Sequence, residues 1–504
     1  MPLSARLNSL RRRCGFLGIL LFFPVFFAAG AVSAADSAPF DDGGEPMRYL
    51  KNGRVTLGID LSIGGAVTWL SDEANGGENM INSFDWGRQI QLSYYSGPVP
   101  FIGPDGEEPK PEWAALGWNP IQSGDCGGFR SKVIAFQQIS ENKMAVRTVP
   151  MLWPNKNVPA ETVFETVYTL TPFGFILDAT IENTRSDTTQ YPARDQESPA
   201  VYTNGPWYKL VSYLGSEPFR NEPVTVLVDR NDGKGWPWIN YYSPERWSAL
   251  VDENGMGLGV YQPESVRTSA GFHGGDERKG FGGSKDVQTG YIAPLCLTIL
   301  DHNIKRTYRT YFIVGSVGEI RAQVYELAQK EVPPLPRWTF DGDRRNWFYR
   351  GSASDSGYPI RDGLEISFEA APGGEIRGPE TFWTAEDAPI LEIDAELSLE
   401  GCEPGQAVSF PLRFTPFSPR DTVDINAWLI GPDQEKEQAE KFERYPVLPE
   451  IGADLSVTTG VRRVWTLDLR NTEGYSGAMR SLAILTPPQK GKLNLFGIRL
   501  RRAE

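Results

Sequence analysis

The stretch Leu391-Glu392-Ile393-Asp394-Ala395-Glu396-Leu397-Ser398-Leu399 alternates apolar and polar side chains without a break. Successive strand residues point to opposite faces, so this spacing predicts a β-strand with one buried and one wet face. The period of two extends well beyond this stretch. Val55, Leu57 and Ile59 alternate with Thr56, Gly58 and Asp60. Residues 164–170, 175–181 and 306–314 are rich in Thr, Tyr, Val and Ile, the residues that fit a pleated surface. Asn75-Gly76-Gly77, between residues 66–70 and 78–81, predicts a hairpin turn. One helix is expected, over 317–330, with Ile320, Val324 and Leu327 on one face. It should stop before Val332-Pro333-Pro334-Leu335-Pro336, because proline cannot continue a helix.

The reading is therefore all-β, and the proline run divides it. Residues 45–330 are too many for one simple sandwich and too poor in helix for a parallel α/β fold, which leaves a large antiparallel double sheet. Residues 337–504 suit a smaller β-sandwich of jelly-roll type. Gly 52 and Pro 39 in 504 residues fit many turns between short strands. A formal charge of -14 argues against nucleic acid, whose phosphates need a basic face.

The first 35 residues read as a secretory signal. Arg6, Arg11, Arg12 and Arg13 precede an apolar run over 15–29, and Ala31-Val32-Ser33-Ala34-Ala35 supplies small residues for cleavage. No later segment has the roughly 18 uncharged apolar residues that span a bilayer. The expected location is secreted or periplasmic, with no stable membrane insertion after cleavage. Cys126, Cys296 and Cys402 are too few for a disulfide framework. With only His273 and His302 beside them, no zinc spacing exists, and neither a metal nor a cofactor is expected.

Asn52-Gly53-Arg54, Gly64-Gly65-Ala66-Val67 and Glu78-Asn79-Met80-Ile81-Asn82, followed by Asp85-Trp86-Gly87-Arg88, resemble the opening of galactose-mutarotase-like supersandwich domains. Trp338-Thr339-Phe340-Asp341-Gly342-Asp343 with Trp347 resembles the opening of carbohydrate-binding jelly-roll modules. The resemblance implies an oligo- or polysaccharide partner. Related domains serve sugar epimerases, glycoside hydrolases and polysaccharide lyases. The strand-borne histidines on which the epimerases rely have no counterpart here.

If 85–95 contains a strand, Arg88, Ile90, Leu92 and Tyr94 share one face, and Gln89, Gln91, Ser93 and Tyr95 the other. A row of amides and phenols suits sugar hydroxyls, with Arg88 pairing Asp85 or an acidic sugar. Trp118 and Asn119, with Trp153, Trp207, Trp238 and Trp247, place aromatic faces near Gly and Pro, where sugar rings stack. Glycoside hydrolysis needs two carboxylates. Glu197, beside Pro199, Glu245, beside Trp247, and Asp85 are the candidates; Trp247 is expected to lower the local dielectric and raise Glu245. Elimination from a uronic acid needs a base, Tyr95 or His273, and a neutralising Arg88, Gln91 or Asn119. His302 reads as structural. A non-catalytic saccharide-binding protein is the alternative.

Overall fold

The computed structural model describes residues 44–215, 217–227, 238–330, 334–371, 373–417 and 448–503. The expected signal segment lies outside them, as do Val332 and Pro333. The architecture is all-β. A ten-stranded and a nine-stranded antiparallel sheet form one sandwich, and two six-stranded sheets form another. In the larger, Leu57, Ile90, Leu92 and Ile292 from one sheet meet Phe164, Phe175, Leu258 and Phe312 from the other in a single core. Phe175 and Phe312 stack with centroids 4.2 Å apart.

Helix α1 (Val317–Lys330) forms over the predicted residues. It covers the outer face of the nine-stranded sheet, setting Ile320, Val324 and Leu327 on Val211, Trp247, Tyr261 and Ile313. Each such buried side chain contributes roughly 1.5–3 kcal/mol. A Cβ at Gly259 would lie 2.3 Å from Ile320 Cγ2, so only glycine allows this approach.

The outer face of the ten-stranded sheet is different in character. Five of its strands matter here: β1 (Ile90–Ser93), β2 (Arg194–Asn204), β3 (Trp238–Tyr242), β4 (Arg267–His273) and β5 (Thr289–Thr298). They lie side by side in the order β1-β2-β5-β4-β3.

The hairpin expected around Asn75-Gly76-Gly77 does not form. Strand Ala66–Asp72 ends in a 3-10 turn, Glu73–Asn75, whose Ala74 N–H is capped by Asp72. Past it, the Asn79 side chain bonds Leu70 N–H and Thr68 O, taking positions a ladder would use. Among residues 78–81 only Ile81 makes a bridge, to Thr203.

In the smaller sandwich, Trp338 and Trp347 pack edge-on at 5.2 Å within the core, so these opening tryptophans serve packing. It meets the larger one through a buried Arg344–Asp301 pair (2.9 and 3.0 Å) and a Tyr242–Phe417 contact at 5.8 Å. His302 lies edge-on to Tyr358 in the same region. Cys126, Cys296 and Cys402 are free thiols.

Candidate functional site

Register places the site. Tyr242 on β3, Arg267 on β4, Leu295 on β5, Glu197 on β2 and Ser93 on β1 form one row across the sheet. A parallel row on the same face holds Trp238, Gly271, Tyr291 and Tyr202. Tyr291 packs 4.9 Å from Tyr202 and 4.8 Å from Trp238, so three rings floor the face beside the carboxylate. Pro199, beside the candidate Glu197, would by itself suggest a loop or strand end. It sits inside the eleven-residue β2, where the register slips between Glu197 and Val201. Proline has no N–H for the ladder, and a bulge both absorbs that loss and re-aims the neighbouring side chain.

Glu197 is buried and held by phenols. Tyr95 donates to Oε2 at 3.0 Å, and Tyr291 donates to Oε1 in a short hydrogen bond. Tyr95 is itself fixed from both sides: its N–H and carbonyl bond the Gln196 amide at 2.7 and 2.8 Å. Ser93 donates to the Tyr95 hydroxyl at 3.1 Å. Among the described residues no lysine, arginine or histidine pairs with Glu197. Burial raises its carboxyl above the ordinary value, with Ser93, Tyr291 and Tyr95 partly offsetting the rise. Burial, and then the Glu197 charge, drive Tyr95, Tyr202 and Tyr291 well above the usual phenol range. A buried carboxylate without a counter-ion is costly, and such groups gather at working sites.

Arg88, Asp85 and His273 form the rim. Arg88 donates to Val287 O at 2.8 Å, lies 4.8 Å over the Phe84 ring, and pairs with the half-exposed Asp85 at 3.5 Å. The half-buried His273 ends β4. Burial and then the Arg88 charge depress its imidazole below the usual histidine value, so it is neutral at neutral pH. Gln89 adopts φ 140°, a region that L residues rarely enter. Its amide bonds Asp85 O and the Ser123 hydroxyl, holding the turn that aims Arg88.

Several predicted site residues lie elsewhere or are otherwise engaged. Gln91 is on the expected face but buried, with its amide oxygen taken by Ser123 N–H and the Ser123 hydroxyl and its nitrogen donating to Trp86 O. Trp118 is a core residue beneath Arg185. Asn119 is wholly buried, and donates to Tyr94 O at 2.6 Å. Glu245 and Trp247 belong to the other sheet, under α1. Burial pushes Glu245 up, but Arg321, Trp247, Tyr325 and the Phe219 N–H outweigh it and bring the carboxyl below its ordinary value. The sign is opposite to the sequence expectation, because the Arg321 guanidinium binds the carboxylate and the Trp247 indole, besides excluding water, donates a hydrogen bond to it (2.8 Å). Glu197, Tyr95, Arg88, Asp85 and His273 share the outer face or its rim. Tyr202, Tyr291 and Arg267 were not singled out from sequence. The alternation Tyr291, Ala293, Leu295 is visible in the chain, but the partner across the ladder is not.

No family model matches the chain, and no curated protein matches it. Partial structural likenesses exist. A galactose mutarotase-like protein from Lactobacillus casei ATCC 334 is 13% identical over 53% of this chain and 99% of its own, with a TM-score of 0.31. A 4-alpha-glucanotransferase from Thermococcus litoralis is 12% identical over 54% of this chain and 38% of its own, TM-score 0.31. A GH36 alpha-galactosidase from Geobacillus stearothermophilus is 10% identical over 58% of this chain and 43% of its own, TM-score 0.33.

Proposed function

We propose that the outer face around Glu197 binds a saccharide and that the protein is a glycan-degrading enzyme with Glu197 as its proton donor. The observation that carries this reading is a buried glutamate, paired with no cation among the described residues, held by two phenols beside a three-ring aromatic floor. Burial favours the protonated carboxyl, which is what a general acid needs when it meets a glycosidic oxygen. The Tyr202 phenol lies within electrostatic reach of both Glu197 and Asp85. In this reading Asp85, on the rim, is the second carboxylate and acts on water or on the sugar.

Elimination from a uronic acid is the second reading, favoured by one observation: a neutral His273 lies near the Arg88 guanidinium. The imidazole would take the C5 proton, the guanidinium would neutralise the sugar carboxylate, and Glu197 would protonate the oxygen that departs from C4 as the C4–C5 double bond forms. The chain would act outside the cytoplasm after loss of residues 1–35, and the smaller sandwich would serve as a binding or packing module. Among the described residues, no helix is long and apolar enough to cross a membrane.

Incubating the chain without residues 1–35 with neutral and uronic-acid polysaccharides tests this. New reducing ends without ultraviolet absorbance indicate hydrolysis, and an unsaturated, absorbing product indicates elimination. Both should vanish in Glu197→Gln. Binding without turnover on every glycan would make the protein a lectin-like module and remove the acid role.

A further inference from the structure

The row that carries Glu197 continues into a cavity of about 430 Å³ at the seam of the two sandwiches. Arg267 and Leu295 line both, and the far wall comes from the smaller sandwich, through Glu380 and Phe382. Five basic side chains line this space against three acidic ones. Arg267 is committed to Asp195, at 2.7 and 3.0 Å, and the exposed Arg345 to Asp343 at 3.2 Å.

Arg246 and Arg306 are different. Both are half-buried, and among the described residues neither forms an ion pair. Arg246 donates to Pro263 O at 2.7 Å, and Arg306 donates to the Thr298 hydroxyl and meets the buried Cys296 thiol. A guanidinium carries five N–H donors, so most of theirs remain for something else. The one carboxylate that influences both is Glu264, which is exposed. Two guanidiniums facing one concavity without a carboxylate in contact make a receptor for an anion, because the fork geometry of arginine fits carboxylate and sulfate oxygens bidentately.

We infer that this cavity is a subsite for an anionic substituent, a carboxylate or a sulfate ester, bound by Arg246 and Arg306 and carried by the saccharide whose neighbouring unit lies over Glu197. The inference rests on the saccharide reading above and narrows it to acidic glycans. Glu197 and Arg267 stand two strands apart, about 10 Å, so one chain can reach both positions.

Inorganic sulfate is the first probe, titrated calorimetrically into the full chain at ionic strength held constant with sodium chloride. Saturable binding is expected, weakened about tenfold or more by Arg306→Gln, since a charge-assisted pair is lost. Glu264→Gln should tighten sulfate several-fold by removing the competing carboxylate. That gain cannot come from misfolding, so it decides the matter should Arg306→Gln fail to fold. No saturable heat with the unaltered chain, or equal affinity in Glu264→Gln and the unaltered chain, overturns the subsite. With oligosaccharides, the acidic chain should show the lower KM against its neutral counterpart, and Arg306→Gln should erase that difference through KM. Oligogalacturonide and sulfated oligosaccharide run in parallel separate the two anion types. Turnover that depends on Glu197 but ignores substrate charge would overturn the subsite and leave the saccharide reading standing. Sulfate binding that Arg306→Gln abolishes, without turnover of any glycan, would keep the anion site and remove that reading.

Discussion

Glu197 and Glu245 are both withdrawn from water, on opposite sheets of one sandwich, and their surroundings could hardly differ more. Glu245 takes two hydrogen bonds from Arg321, at 2.8 and 3.0 Å, and others from Trp247, Tyr325 and the Phe219 N–H. It is a closed ion pair that fastens α1 and the segment around Phe219 to the nine-stranded sheet. Among the described residues Glu197 has only neutral donors, Tyr95 and Tyr291. Burial alone therefore says little about role. The charge of the partners separates an anchor from a reactive group.

Glutamine at each position should break the comparison most sharply. Glu245→Gln leaves Arg321 buried and unmatched, and should lower stability by about 3–5 kcal/mol, read by urea unfolding. Glu197→Gln removes a buried charge with no counter-ion, so stability should hold or rise near neutral pH while turnover falls by roughly 10²–10⁴-fold. If Glu197→Gln unfolds the protein and Glu245→Gln does not, the assignment of roles is reversed.

The phenols come next in size. Tyr95→Phe and Tyr291→Phe each delete one donor to Glu197, worth about 1.5–3 kcal/mol to its ionised form, or roughly ten- to a hundredfold in rate. Each should also move the alkaline limb of the activity profile, where the proton donor loses its proton, to higher pH, because the charged carboxylate has lost a stabilising bond. Tyr325→Phe, the matching deletion at Glu245, should leave that profile in place and cost stability only.

Stability against pH offers a smaller contrast of opposite sign. Glu197 has a raised carboxyl, so its contribution is full below the ordinary carboxylate value and declines as pH climbs through its folded value. Glu245 has a lowered one, so its contribution is full above the ordinary value and declines as pH drops through its folded value. Unfolding free energies measured across the acidic range should flatten in opposite directions in the two glutamine variants.

The sequence carried one half of this contrast well. Period-two spacing placed Ile90, Leu92 and Tyr94 on the core side and Gln91, Ser93 and Tyr95 on the other, because strand faces follow from local order. It also singled out Glu197, whose polar neighbours and Pro199 mark a broken ladder. What it lacked was pairing at a distance. Gln91 looks available until Ser123, thirty-two residues on, occupies its amide oxygen. Glu245 beside Trp247 looks like an activated acid until Arg321 arrives from a helix seventy-six residues later. Trp118 has the loop-borne look of a sugar platform, yet its ring fills the core. Hydrophobic periodicity specifies faces, and a hydrogen-bond partner across the sheet leaves no local trace.

His273 supplies the smallest and most selective test, because it belongs to the Glu197 face but not to its row. Its imidazole is depressed by burial and by Arg88, so the folded protein holds its proton less tightly than the unfolded chain does. Its contribution to stability is therefore full above the ordinary histidine value of about 6.5 and is lost as pH falls through the lower folded value. His273→Asn should flatten stability in that window and leave the carboxylate range unchanged. Its effect on rate discriminates between the two chemistries. If Glu197 and Asp85 hydrolyse a glycosidic bond, the imidazole only shapes the rim, and the rate should fall less than about tenfold. If a uronic acid is eliminated, the imidazole is the base, and the loss should approach that of Glu197→Gln, about 10²-fold or more. The same comparison with Arg88→Lys, which keeps the charge but loses the planar fork, reports whether that guanidinium holds a sugar carboxylate: KM should then rise for acidic glycans and stay level for neutral ones.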